Sequence, residues 1–228
     1  MERRQPCLSL RVTMMVSGVY VIGAGGHAKV TVSTLRAQGI TVLGAFDDDV
    51  SKRGGVVLGV PIIGSVDDAR KFAAKGKFLL AVGNNEIRKS IAESLEGLEW
   101  ATAVHPTAYV HPSVKLGPGT VVFAGAILQP EAVVGSHCIV NTGATIDHDC
   151  KIDDYVHLAP GVHLAGGVSV GSESMFGVGA AVLPNINIGA RSMIGAGAVV
   201  IKNVPDDATA VGVPARLIAG REDKNERR

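Results

Sequence analysis

From Val104 to Val200 every sixth residue is apolar, in unbroken phase: Val104, Val110, Leu116, Val122, Leu128, Val134, Val140, Ile146 and Ile152, then onward through Ile188, Ile194 and Val200. Four residues after most of these stands a small one, as at Ala108, Thr120, Ala126, Cys138, Ala144, Cys150, Ser174, Ala180, Ser192 and Ala198. Glycine often follows the apolar position directly, as at Gly117, Gly135, Gly171, Gly177, Gly189 and Gly195. This period predicts a parallel β-helix, in which each hexapeptide is one short strand and a corner and three hexapeptides close a triangular coil. The aliphatic residue points inward, the small one fits the corner, and coils stack through parallel hydrogen bonds about 4.8 Å apart. The span predicts roughly five coils. An irregular glycine-rich sandwich would not hold phase over such a length.

Ahead of His105-Pro106 the texture is different. Val16–Ile22 is a short apolar run ending in Gly23-Ala24-Gly25-Gly26, and a helical pattern follows from His27 to Gln38, closed by Gly39. Ile40–Phe46, Val60–Gly64 and Lys77–Val82 read as strands, and Asp67–Lys75 and Asn85–Leu95 as helices. Strands alternating with helices predict a small parallel α/β sheet, about half of a doubly wound, Rossmann-like fold. The expected division is a disordered extension at 1–17, an α/β domain at 18–101, the β-helix at 102–217 and a charged tail at 218–228.

Composition supports thin, regular layers: 46% of residues are hydrophobic, only 4% are aromatic, and 29 are glycine. The net charge is +1 and the one basic stretch is the short tail Arg221–Arg228, which argues against nucleic acid as a partner. Cys7, Cys138 and Cys150 form no CxxC and no paired framework. Cys138 and Cys150 fall on small inward positions and read as core residues, and the setting expected is a reducing cytoplasm. No run is long enough to span a membrane, and Met1–Thr13 is too short in apolar residues for a secretory signal.

Two places carry chemistry. Gly23-x-Gly25-x-x-Ala28, with Asp47 beyond it, matches a dinucleotide fingerprint; a glycine turn that ends a strand and opens a helix presents N–H groups to phosphate. His148 stands two positions after the inward Ile146, so it points out of the prism, with Asp147 and Asp149 on either side. A carboxylate that accepts a proton from one ring nitrogen leaves the other basic. On a regular strand neighbouring residues face opposite ways, so a His148–Asp149 contact requires a corner.

The order Ile22-Gly23-Ala24-Gly25-Gly26-His27-Ala28-Lys29, Asp47–Asp49, Val82-Gly83-Asn84-Asn85-Glu86-Ile87-Arg88 and Ile146-Asp147-His148-Asp149-Cys150 resembles the sialic-acid O-acetyltransferase and nucleotide-aminosugar N-acetyltransferase family. Within it the chain looks most similar to the GDP-perosamine N-acetyltransferases. The closing Ile194–Val200 and Val211-Gly212-Val213-Pro214-Ala215-Arg216 are similar to the wider hexapeptide acyltransferases, whose prisms are left-handed and trimeric. The resemblance supplies the left hand, which periodicity does not. It implies a homotrimer that transfers an acetyl group from acetyl-CoA, without a metal, to the amine of a nucleotide-linked 4-amino sugar. It makes His148 the base and Asp149 its support. It gives the nucleotide sugar to Gly25, Gly26, His27, Asp47, Asp48, Gly83, Asn84, Asn85, Arg88 and Asn141. It gives acetyl-CoA to His157 and to the backbone at Val178 and Ala196, in a groove between prisms.

Plainer readings stand beside these. Asp47–Asp49 also reads as a solvated turn, Arg88 as a solvated helix face, and His137 and His163 as exposed corner or interface residues. Cys150 points inward, which favours direct transfer over a covalent intermediate. The competing functions are sugar O-acetylation, a zinc-dependent carbonic anhydrase on the same kind of prism using His148, His157 and His163, and a non-catalytic nucleotide-sugar sensor.

Overall fold

The structure is a computed structural model and describes residues 18–218. The expected extension at 1–17, with Cys7, and the tail beyond Ile218 lie outside the described residues.

The chain opens with β1 (Val19–Ile22), α1 (Gly26–Ala37), β2 (Val42–Phe46), β3 (Val56–Val57), β4 (Val60–Gly64), β5 (Lys77–Leu80) and α2 (Asn85–Ser94). They form one sheet in the order β3-β4-β2-β1-β5. β1 runs parallel to both β2 and β5, which puts the glycine turn after Ile22 at the carboxyl edge of a central strand. β3 pairs antiparallel with β4 across Leu58-Gly59, two residues of positive φ; this hairpin had no signal in the periodicity. Asp67–Lys75 is a 3-10 stretch instead of an α-helix. Although rings are scarce, one layer of this domain is built on them: Tyr20 lies 5.3–5.8 Å, centroid to centroid, from Phe46, Phe72 and Phe78.

From Ala103 the chain winds as a parallel β-helix with three faces. The first face holds the strands from Ala103–Val104 through Met193–Ile194, the second those from Tyr109–Val110 through Val199–Val200, and the third those from Lys115–Leu116 through Asn187–Ile188. Each residue stacks on the one a coil later, as Ile139 does on His157 and Thr145 on His163. The predicted inward residues from Val122 to Val200 form one buried cluster, joined by Ala126, Cys138, Ala144, Cys150 and Ala198 at the corners. The third residue after the inward one has positive φ at the corners, including Glu131, His137, Asp149, Tyr155 and Glu173 where glycine is absent. That left-handed step turns the chain.

The α/β domain covers the first face. Ala28, Val32, Leu79 and Ala81 pack on Ala103, Val121, Phe123 and Ile139, which sit on the outside of the prism. Polar bonds complete the seam. Asn85 Nδ2 donates to the carbonyls of Glu173 (2.8 Å) and Ser174 (3.1 Å), and Lys89 pairs with Glu173 at 2.7 Å. Arg88 reaches across to the carbonyls of His137 and Tyr155.

Candidate active site

The singled-out residues fall into two groups on different edges of the prism. His148 lies on the edge between the second and third faces, opposite the face that the α/β domain covers. Asp149 occupies the left-handed corner position with φ +60°, which swings its carboxylate back to its neighbour. Its Oδ2 lies 2.7 Å from His148 Nδ1. A carboxylate only accepts, so Nδ1 carries the proton and Nε2 is left basic. The bond to Asp149 raises the pKa of the exposed imidazole above its ordinary value. Asp147 accepts from the His148 backbone N–H at 2.8 Å, fixing the main chain beneath the ring. The ring lies over Gly166, one coil further on: a Cβ there would sit 2.6 Å from both Cε1 and Nε2. Gly166 is a site residue that the sequence reading missed; the signal was its place in the coil directly after His148.

The second group gathers where α1, the end of β5 and the first face meet. The first turn of α1, Gly25-Gly26-His27, has neither a side-chain cap nor an acid, unlike α2, where Asn84 accepts from the Ile87 N–H. A Cβ on Gly25 or Gly26 would meet nothing within 4 Å, so the N–H end of the helix opens onto free space. Asp47 braces this turn: Oδ2 accepts from the Ala24 N–H at 2.7 Å and from Lys52 at 3.0 Å, and Oδ1 accepts from the Asp49 N–H. Burial pushes its carboxyl up, but these hydrogen bonds outweigh that and hold it below the usual carboxylate range. Asp48 accepts from the Val66 N–H through Oδ1 and is otherwise exposed. The acids are therefore a structured loop and not a merely solvated turn.

His27 packs against Phe123 and His157, at 5.3 and 6.1 Å between ring centroids, and its Nε2 is buried without a partner. His157 lies on the first face, almost buried, with Nδ1 3.1 Å from the Gly83 carbonyl and Nε2 3.3 Å from Asn141 Nδ2. Burial, followed by the charge of Arg88, pushes its pKa down to about 4; burial, then His157 and Arg88, does the same to His27. Asn141, Val178 and Ala196 follow one another up the edge between the first and second faces, where Val178 and Ala196 are exposed.

Three expectations need correction. Arg88 is 1% exposed, with all five of its N–H groups engaged by protein oxygens, so it is neither a solvated helix residue nor free to hold a substrate. Asn85 is likewise spent on the seam. His137 is no exposed corner: its ring is stacked on Tyr155 at 5.2 Å and set edge-on to Trp100 at 4.8 Å. The histidines that raised the carbonic anhydrase reading diverge. His157 lies on the first face, His163 on the second, bound to Thr145 Oγ1 at 2.9 Å, and His148 on an edge. Among the described residues no three His, Cys, Asp or Glu converge as a metal-binding group, and no helix is long and apolar enough to cross a membrane.

Comparison with known proteins gives this geometry a context. Residues 18–95 match the PglD N-terminal domain family. PerB of Caulobacter crescentus, a structure in complex with CoA and GDP-perosamine, is 41% identical and superposes with a TM-score of 0.85 over 89% of this chain and 98% of that one. The acetyltransferase domain of PglB from Neisseria gonorrhoeae, in complex with acetyl coenzyme A, is 38% identical with a TM-score of 0.84, over 88% and 98%. A UDP-N-acetylbacillosamine N-acetyltransferase of Bacillus subtilis is 44% identical over 100 residues, 42% of this chain and 46% of its own. The chain spans less than half the length of the curated relatives it matches. Kinship over nearly the whole length of PerB and of the PglB domain, with a half-sized α/β domain set on a left-handed β-helix, means that the chain belongs to the nucleotide-aminosugar N-acetyltransferase family of hexapeptide acyltransferases.

Proposed function

We propose that the protein transfers the acetyl group of acetyl-CoA to the amine of a nucleotide-linked 4-amino-4-deoxy sugar of the GDP-perosamine type, with His148 as general base. The observation that carries this is the His148–Asp149 pair, exposed on a prism edge with Nε2 free. The neutral amine attacks the thioester carbonyl carbon, and Nε2 takes the proton that the amine loses. The C–S bond breaks, and the departing thiolate takes that proton up again. Such a base is worth ~10²–10⁴-fold. Asp149 keeps the proton on Nδ1 and stabilises the imidazolium that forms. Cys150 is buried at an inward corner, and burial pushes its thiol pKa up, which supports direct transfer.

The glycine turn braced by Asp47 is read as the seat of the sugar nucleotide's phosphates, with Asp48 beside it for ribose or base and Asn84 at the rim. The edge with His157, Val178 and Ala196 is read as the acetyl-CoA side; Asn141, which the resemblance gives to the nucleotide sugar, is bonded to His157 on that same edge and is read with the acetyl-CoA side instead. His148 lies on another edge, so one chain holds two half-sites. A homotrimer joins them. The outward residues of the second face, Tyr109, Ile127, Thr145, His163, Ala181 and Val199, carry no carboxylate, Lys or Arg, and this face lies between the two edges. Packing it against a neighbour sets His148 of one prism beside the groove of the next. The free thiols Cys138 and Cys150 are in keeping with a cytoplasmic setting.

The test is a mass-spectrometric screen of GDP- and UDP-linked 4-amino sugars with acetyl-CoA. A gain of one acetyl group, stable to hydroxylamine, is expected. No gain with any amino sugar, or a hydroxylamine-labile ester, overturns the reading. Light scattering that shows a monomer overturns the shared site.

A further inference from the structure

Arg88 is the largest fully buried side chain among the described residues. Its Nε donates to the His137 carbonyl at 2.8 Å, Nη1 to the Val82 and Gly83 carbonyls at 3.0 and 3.2 Å, and Nη2 to Asn85 Oδ1 at 2.8 Å and the Tyr155 carbonyl at 2.7 Å. Every N–H of the guanidinium is thereby used. All the acceptors are neutral oxygens, and no carboxylate pairs with Arg88 among the described residues. A buried cation held only by dipoles keeps its charge, and its field reaches what lies beside it. As a plain domain staple, a neutral donor would avoid the desolvation that Arg88 incurs.

One of those acceptors is shared. The Gly83 carbonyl takes Arg88 Nη1 from one side and lies 3.1 Å from His157 Nδ1 on the other. A carbonyl cannot donate, so Nδ1 of His157 must carry the proton and Nε2 must be the acceptor. Nε2 faces Asn141 Nδ2 at 3.3 Å. The orientation of that amide is fixed independently, because Asn141 Oδ1 accepts from the Thr142 N–H at 2.8 Å. Asn141 thus has one N–H on His157 and a second left over, on the edge that also carries Val178 and Ala196. Were His157 protonated, Nε2–H would point at an N–H. Asn141 would have to turn over, surrender the Thr142 bond and show an oxygen where it now shows a donor.

We propose that Arg88 is a positioning residue of the transferase: through the Gly83 carbonyl and its own charge it holds His157 neutral with the proton on Nδ1, and so fixes Asn141 as a hydrogen-bond donor toward the acyl-donor groove. This rests on the reading of that edge as the acetyl-CoA side. The titratable groups facing His157 are Arg88 from α2 and His27 from α1; the prism itself adds Asn141, which does not titrate. His27 carries a low pKa of its own, so it adds no charge at neutral pH. The ligand group the relay selects is an acceptor oxygen, an amide or thioester carbonyl.

The first measurement needs no variant at Arg88. In the full-length protein labelled with ¹⁵N-histidine, with His157 assigned by the signal that His157→Gln removes, the ring is expected as the Nδ1–H tautomer and neutral at pH 6. An Nε2–H tautomer, or a midpoint above about 6, overturns the relay. The second uses Arg88→Gln, which keeps donors and loses the charge, beside Arg88→Lys, which keeps the charge and loses the fork. Two groups sharing one oxygen lie about 6 Å apart. At an effective dielectric near 20, removing the charge should raise the His157 midpoint by on the order of one to two pH units. In Arg88→Gln the KM for acetyl-CoA should then rise between pH 7.5 and 5.5 by up to about fourfold, in step with the protonated fraction of His157, while in Arg88→Lys any loss should be the same at both pH values. A folded Arg88→Gln with an unmoved His157 titration, or with a pH-independent loss, overturns the proposal. If neither variant folds, the tautomer and midpoint in the parent decide it. An unchanged KM for acetyl-CoA in His157→Gln would instead sink the reading of the groove and leave the relay to Gly83 intact.

Discussion

Three imidazoles are buried at the seam and stay neutral in acid that would protonate them in water, and this predicts how the fold responds to acid. His27, His137 and His157 each have a pKa pushed down from 6.5 to about 4, in every case chiefly by burial, with Arg88 adding to it. A folded-state pKa below the unfolded one means that the unfolded chain binds more protons between the two values. The stability at stake is therefore fully present above pH 6.5 and is lost as pH falls from 6.5 to about 4. For one such group the loss between pH 7 and pH 5 is about 2 kcal/mol. Charging His27 also opposes charging His157, so the three together come to about 4–6 kcal/mol, a large part of the stability of an ordinary domain. His148 runs the other way: its raised pKa adds stability below 6.5 that is lost as pH rises through the folded value, but it is fully exposed and only blunts the slope. The depressed carboxylates, Asp47, Asp49, Asp68 and Asp207, begin to act only near and below their ordinary 3.8, outside this window.

The assay is urea unfolding at pH 7.5, 6 and 5, at fixed ionic strength and protein concentration. The midpoint should fall steadily while the slope of the transition stays constant. His137→Gln should be weaker at neutral pH, because it loses the stacking on Tyr155 and Trp100. Its decline toward pH 5 should nevertheless be shallower by about a third. A parent whose stability is level from pH 7.5 to 5, or a His137→Gln decline as steep as the parent's, would refute the reasoning.

Three further outcomes concern the transfer itself. His148→Ala should lose on the order of 10²–10⁴ in kcat at neutral pH and regain part of it in alkali as free amine accumulates; a variant as active as the parent removes His148 from the mechanism. Gly166→Ala should displace the His148 ring, whose Cε1 and Nε2 a Cβ would approach to 2.6 Å, and lower kcat at least tenfold with the melting curve little changed; full activity would show that the ring stands elsewhere in the working enzyme. Changing Asp47 and Asp48 together to Ala frees the Ala24 and Val66 N–H groups and loosens the glycine turn, so KM for the sugar nucleotide should rise while that for acetyl-CoA stays; equal effects on both refute the division between the two domains.

What the sequence makes legible here is what repeats or what is local. The inward residues from Val122 to Val200 declare themselves because each sits in the same layer as the next. The His148–Asp149 contact is nearly as open to view: adjacent residues cannot meet on a strand, but every coil turns on a left-handed third residue, and Asp149 occupies that position at φ +60°. Seam residues have no such pattern. Arg88 bonds to residues 49 and 67 positions away, and Asn85 to residues 88 and 89 away. Their partners are backbone carbonyls, which every residue has, so nothing in residue type marks them. One clue was present on the other side of the seam. Ala103, Val121 and Ile139 are outward positions of one face and yet apolar, while the outward row of the third face carries Lys115 and Lys151. A prism face that is apolar on its outside must be covered.

That covered face also explains why the fold is divided as it is. A β-helix alone offers edges and shallow grooves, on which a side chain such as His148 stands exposed with nothing beside it to hold a nucleotide. A half-sized α/β sheet alone offers a helix N-terminus, Gly25-Gly26-His27, but no groove for a thioester. Docking the sheet on the first face sets the glycine turn beside His157 and Asn141, and the same contact strips water from His157 and brings it against the Gly83 carbonyl that Arg88 already holds. The burial that joins the two domains is thus the burial that sets the protonation state of the ring between them. A substitution that loosens the seam, such as Asn85→Ala, should be read in the His157 titration before it is read in the melting temperature, because solvent admitted at Gly83 raises the ring's pKa while both hydrophobic cores remain packed. A melting temperature that falls with the His157 titration unmoved would mean that the seam supports the fold alone.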